Sequence, residues 1–141
     1  MAYFICNQSG GSGYSETILH DTPTLLSEGS ELTLNDDFDK FDALQFYLCA
    51  YDSVLYNHFT VITVPKNVLL KSYTDYNDSS ISYSYKGRFE TSMLLIMGSW
   101  YVCTWQLIAK EKNKLLSGSK GTSGWSVSDC YIYKIVGVKY G

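Results

Sequence analysis

An all-β fold, an antiparallel β-sandwich of jelly-roll type behind a short flexible N-terminal arm, is what this sequence predicts. Three observations carry the prediction. Aromatics make up 16% of the 141 residues and 13 are tyrosine, a composition that with Thr, Val and Ile suits pleated, half-buried surfaces. Apolar and polar residues alternate over short runs, the period of a strand and not of a helix. Turn-forming Gly, Asn, Asp and Ser clusters recur roughly every 8 to 15 residues, and no helical periodicity is expected beyond two turns. A chain of this length buries roughly 70% of the surface its unfolded form exposes, enough for one core without staples.

Residues 1–13 stand apart as an arm. The apolar peptide "MAYFIC" precedes "NQSGGSG" (Asn7 to Gly13), a flexible linker of the kind that separates structural units. The sandwich is expected over 14–141. The arm either packs on its own domain or anchors it to another protein through Tyr3, Phe4 and Ile5.

The elements follow in order. "SETILH" reads as a first strand, followed by the punctuated turn "DTPTLLSEGS". "ELTL" places Leu32 and Leu34 on one face. "NDDFDKFD" is a polar turn with room for one helical turn capped by Asn35 or Asp36. In "ALQFYLCA", Leu44, Phe46 and Leu48 face one way and Gln45, Tyr47 and Cys49 the other, a half-buried strand. "HFTVITVP" is a β-branched strand that stops where Pro65 cannot donate. "SISYSYKG" and "RFETSMLLIMG" are two strands joined at Gly87, "WYVCTWQLIAK" is another, and "GSKGTSGW" is a Gly/Ser loop. "KEKNK" (Lys110 to Lys114) is expected to be a solvated hairpin tip. The last run, "CYIYKIVGVKYG", has no solvent-only face, so it is expected to be a central strand whose end is held between neighbours.

Chemistry is hard to find. His20 and His58 lie at strand ends with no third ligand or orienting acid fixed by spacing. Asp36, Asp37, Asp39 and Asp42 form an acidic run without the turn Gly or downstream Glu of a calcium loop. Cys6, Cys49, Cys103 and Cys130 form no C-x-x-C pair. Free thiols in a reducing cytoplasm are the expectation, since "MAYFICNQSGG" lacks the basic and apolar regions of a signal peptide. The longest apolar stretch, Met93 to Met97, is too short to span a membrane. A net charge of −3 is the wrong sign for a nucleic-acid binder. The reading is a non-enzyme with no cofactor and no metal.

Aromatic residues supply the candidate surface. Tyr73, Tyr76, Tyr83 and Tyr85 fall within "SYTDYNDSSISYSY", and Trp125 follows in the Gly/Ser loop. Tyr mixed with Ser, Asn and Asp is what adaptable binding surfaces use, because Tyr gives contact area at low entropy cost. The competing reading makes these tyrosines cross-strand neighbours that only stabilise a sheet. Trp100 and Trp105 are expected in the core.

Three segments carry a family likeness, "GYSETILHDTPT", "GSELTLNDDFDKFDALQFYL" and "DCYIYKIVGVKYG", with the pattern falling on four stretches: Thr17 to Leu19, Glu31 to Asp36, Phe41 with Asp42, and Lys134 to Lys139. In this order the chain resembles a bacteriophage virion surface domain, the C-terminal β-sandwich of tail-fibre, head-fibre and receptor-binding proteins. The likeness runs from about Gly13 onward, while 57–120 departs from it. It implies a structural protein on the particle surface, assembled in the host cell cytoplasm and commonly a homotrimer. Its implied partners are other virion proteins, held through the arm, and a host-surface glycan or protein. No repeat-rich stalk precedes the domain, which favours a short spike, decoration protein or baseplate-proximal knob. The alternative is a free-standing carbohydrate-binding, lectin-like module.

Overall fold

The computed structural model describes residues 13–25, 29–50, 60–80, 87–96, 100–124 and 130–141, with backbone alone at 25, 49–50, 90–96, 100–105, 118–124 and 130–131. The fold is an all-β sandwich of two antiparallel sheets with one short helix. Its strands are β1 (Ser15–His20), β2 (Thr24–Leu25), β3 (Glu31–Thr33), β4 (Ala43–Ala50), β5 (Thr60–Pro65), β6 (Arg88–Ile96), β7 (Trp100–Glu111), β8 (Lys114–Gly124) and β9 (Cys130–Lys139). The first sheet runs β1-β9-β4-β5, with β2 also pairing β9; the second runs β3-β8-β7-β6.

The terminal strand is central, as its two-faced pattern predicts. β9 pairs with β1 and β2 on one side and with β4 on the other. Leu44, Phe46 and Leu48 oppose Gly137, Ile135 and Ile132, and all three apolar β4 residues are fully buried. From the other sheet Leu32, Phe89, Leu107, Ala109 and Leu115 complete one core, with the Phe46 and Phe89 rings 6.3 Å apart.

The acidic turn between β3 and β4 clasps both sheets at one end. Phe38–Lys40 forms a single 3-10 turn behind Asp37, one residue after Asp36 and two after Asn35, the expected caps. The Asn35 amide donates to Leu19 O of β1 at 2.9 Å. The Leu34 and Phe38 amides donate to Asn113 O and Lys112 O, at the tip of the β7–β8 hairpin. That tip lies within "KEKNK", where a solvated turn was expected. Asp42 then grips β9: its amide donates to Val138 O at 2.8 Å, and its Oδ2 accepts from the Tyr140 amide at 2.7 Å. Just before it, Phe41 lays its ring on Gly137, so closely that an added Cβ there would lie 2.7 Å from ring carbons.

Two expectations need correction. Beyond Pro65 the chain forms α1 (Lys66–Tyr76), three helical turns where no helix beyond two was expected. Its stripe of Leu69, Leu70, Ser72, Tyr73 and Tyr76 faces inward at helical spacing. The signal was weak because Val, Ser, Thr, Tyr, Asn and Asp are indifferent helix formers; packing on the core supplies the order. "GSKGTSGW" is likewise no simple loop, because β8 continues to Gly124, paired with Tyr101 of β7. Here the partner strand, and not local propensity, decides the conformation.

α1 finishes what β6 leaves undone. The β6–β7 ladder ends at Arg88 opposite Ile108. At the next position the buried Ser72 hydroxyl is spliced between the chains: it accepts the Ala109 amide at 2.9 Å and donates to Gly87 O. Gly87 itself has φ +76°, and an added Cβ would lie 2.7 Å from Tyr76 Cβ. Glycine is therefore required twice over, by backbone conformation and by space.

Two substitutions test this packing. Gly137→Ala drives a methyl into the Phe41 ring, and overpacking of this kind costs about 1–3 kcal/mol, read as a lowered urea midpoint. Ser72→Ala leaves a buried amide and carbonyl without their shared partner, and is expected to cost about 1–3 kcal/mol. A midpoint unchanged in either variant contradicts the corresponding contact.

Candidate functional site

Of the residues singled out for a binding surface, two are described and both are occupied. Tyr73 lies on α1, half-buried, with its ring edge-on to Phe38 at 6.4 Å and Lys112 Nζ 5.8 Å from its ring centre. Tyr76, one turn on, is half-buried against Gly87. They are helix neighbours that seat α1, so the alternative of cross-strand partners does not apply to them. Tyr83, Tyr85 and Trp125, and Tyr3, Phe4 and Ile5 of the arm, lie outside the described residues, as does His58. Trp100 and Trp105 are in β7, and Cys49, Cys103 and Cys130 are in strands, with their side chains outside the description.

The acidic run has separate duties for its members. Asp36 pairs with Lys40 at 2.9 Å and Asp39 with Lys112 at 2.8 Å, while Asp42 holds the terminal strand. The Lys40 hydrogen bond, then the Asp37 amide, hold the Asp36 carboxyl below its ordinary value; the Asp39 hydrogen bond raises Lys112. These are exposed pairs, which contribute little stability. His20 is half-buried, with its Nε2 2.9 Å from Thr24 Oγ1, a contact that ties the end of β1 to β2.

A different aromatic surface emerges from the register. On the first sheet the residues facing away from the core include Glu16 and Ile18 of β1, Ala43, Gln45 and Tyr47 of β4, Val61 of β5, and Lys134, Val136 and Val138 of β9. Ala43, Val136 and Val138 are buried even here, so the centre of this face is apolar. Around it stand Tyr14 (55% exposed), Ile18 (47%), Val61 (46%) and Tyr140 (60%).

The polar groups on this face are ordered by the aromatics. The Tyr14 and Tyr140 rings lie 6.3 Å apart, and the Tyr14 hydroxyl donates to the Glu16 carboxylate. Further along, Lys134 Nζ sits 4.5 Å from the Tyr47 ring centre, within cation–π range. Crowding against the sheet, followed by the hydrogen bond to Glu16 and its charge, pushes the Tyr14 hydroxyl up to about 12. Rings offering flat faces beside a carboxylate, an amide and an ammonium form a surface that can stack on a ligand and bond its hydroxyls.

Sequence reasoning missed this group because its members are scattered along the chain. Tyr14 and Tyr140 lie near opposite ends, and only the β1–β9 pairing unites them. The available signal was parity: Tyr14 is in step with Glu16 and Ile18, and Tyr140 with Val138 and Val136.

No protein-family model matches the sequence, and no curated protein matches it.

The Tyr14–Glu16 bond has a defined pH signature. The raised folded-state value means its contribution is fully present below the unfolded value of about 10 and is lost as pH rises through about 12. The stability difference between wild type and Tyr14→Phe is therefore expected at about pH 9 and should shrink toward about pH 12. Paired thermal melts across that window check it, and a constant difference contradicts it.

Proposed function

We propose that this chain is a structural protein of the bacteriophage particle surface, a head fibre, tail fibre or baseplate-proximal knob that contributes to attachment to the host. The observation that carries the reading is the convergence of the four stretches that carry the likeness to the virion domain. Thr17 pairs with Gly137, the Asn35 amide bonds Leu19 O, Phe41 covers Gly137, and Asp42 bonds Val138 and Tyr140. Short degenerate motifs that lock together around one strand behave as a fold signature, and that supports taking the likeness at its word.

In this reading the sandwich is assembled in the host cytoplasm as a homotrimer. Its arm, through Tyr3, Phe4 and Ile5, holds a capsid or tail component. The Tyr14–Tyr140 face is the preferred contact surface over Tyr73, whose ring packs edge-on to Phe38, and Tyr76, half-buried beside Gly87. A free-standing lectin-like module would use the same face, because aromatic rings beside hydrogen-bonding groups also suit saccharides. The two readings part on assembly.

Mass spectrometry of gradient-purified particles from the encoding genome should find the chain at fixed stoichiometry with the capsid or tail proteins. Light scattering should give three times the 15.9 kDa chain mass. A chain present in the lysate, absent from particles and monomeric in solution contradicts the virion reading and favours the lectin-like module.

A further inference from the structure

The chain holds a single arginine, Arg88, among eleven basic residues. It opens β6 where that strand meets α1, and it lines a cleft of about 260 Å³ together with Asn67, Val68, Lys71, Ser72, Asp75 and Gly87. Its Nη1 donates to Gln106 Oε1 at 2.7 Å, which fixes the guanidinium plane. Its Nε is buried and has no hydrogen-bond partner. No carboxylate forms an ion pair with it among the described residues.

This leaves a half-buried cation with a neutral amide oxygen as its hydrogen-bond acceptor among the described residues. An arginine side chain always carries its charge, and removing that charge from water is costly unless a countercharge and hydrogen bonds replace the water. Elsewhere Lys40, Lys71, Lys110, Lys112 and Lys114 each have an acidic partner. Arg88 is more enclosed than a surface lysine, yet has no acidic partner among the described residues. Guanidinium matches one anion especially well, the planar carboxylate, through two parallel N–H···O bonds.

The rest of the cleft narrows the class. Lys71 stands at its edge as a second cation, bonded to Asp75 at 2.8 Å. Asn67 contributes an amide and Asp75 an acceptor, both suited to hydroxyl groups. Val68, 37% exposed, gives an apolar wall. The volume falls below the range of about 300–1,000 Å³ used for drug-sized ligands, so one compact unit fits and an extended chain does not.

We propose that this cleft is a binding site for a hydroxylated carboxylate, free or as the acidic sugar residue of a glycan, with Arg88 as its anion receptor. The carboxylate supplies the countercharge that no described side chain gives the guanidinium, meeting it at the terminal nitrogens, since Nε itself is buried. Lys71 adds attraction at the rim, and Asn67 and Asp75 select for hydroxyls. Gln106 keeps the guanidinium in position before the ligand arrives. This site is separate from the Tyr14–Tyr140 face and does not depend on the virion reading.

A sole arginine makes the test direct, because the full-length ¹⁵N-labelled protein gives one arginine Nε–H resonance. Titration with sodium glucuronate should move it saturably, with a dissociation constant on the order of millimolar. Glucose, which lacks the carboxylate, should not move it, and acetate should act more weakly than glucuronate. Lys71→Gln, a change at an exposed position that leaves the packing intact, should weaken glucuronate binding about threefold. Arg88→Lys, followed through the Val68 and Gly87 amides, should weaken it about tenfold, since lysine cannot reproduce the two parallel bonds.

A glucuronate-bearing polysaccharide that moves the same resonance identifies a glycan as the source. If the monosaccharide alone does so, the ligand is a free acid, and the site still stands. A resonance that responds to glucuronate no more than to sodium chloride at equal ionic strength overturns the proposal, as does Arg88→Lys binding like wild type. Either failure leaves the particle measurements, and the reading they test, untouched.

Discussion

Everything at one end of this sandwich turns on the ring of Phe41 resting against the bare backbone of Gly137. The contact needs glycine for space and not for conformation, because only a residue without Cβ lets the ring approach the strand so closely. Having placed the ring, the chain uses the next residue for three further bonds, two of them to the terminal segment. The Asp42 amide and carboxylate hold β9, and its carbonyl accepts the Lys66 amide at 2.9 Å, where α1 begins. A strand near a chain terminus, which would ordinarily fray, is thereby fixed from both sides and at its end.

The opposite problem, a sheet edge that stops too soon, is solved by α1. Past Arg88 the chain turns at Gly87, and among the described residues α1 meets the next groups of β7. The Ser72 hydroxyl takes one position in the ladder, and Asn77 Nδ2 reaches Lys110 O at 3.2 Å one step beyond. The same Asn77 side chain bonds Tyr73 O at 2.8 Å, closing the C-terminal turn of the helix. The helix is thus a cover for an edge as well as a wall of the core, which explains a fully buried Leu69 three residues from a buried serine. It also explains the Arg88 cleft, which opens where a helix stands in for a strand and cannot fill the same space.

The parts of the fold legible in the sequence are those where one strand face decides the conformation. Leu44, Phe46 and Leu48 alternate because the core takes every second residue. The last strand shows its central position because neither of its faces is polar. Where the deciding contact is remote, the sequence is silent. Nothing local in "KNVLLKSYTDY" outweighs its β-branched, aromatic and turn-forming residues, so α1 becomes visible only with the surface it covers. "GSKGTSG" looks like a loop because glycine and serine fit almost any conformation, and β7 makes it a strand. For the candidate surface, the sequence offers a residue type and not a place. An excess of tyrosine pointed to an aromatic surface, but Tyr73 and Tyr76 face inward on a helix, and Tyr14, Tyr47 and Tyr140 come together only through the β1–β9–β4 register.

The central claim is that β9 is held by the Phe41–Gly137 and Asp42 contacts as firmly as any strand in the protein. Native-state hydrogen exchange of the full-length chain measures this residue by residue. The account predicts that the amides of Ile135 to Val138 exchange only through global unfolding, at the slowest rates in the first sheet. Protection that declines steadily from Ile132 toward Lys139, with the last residues exchanging through local fraying, would contradict it.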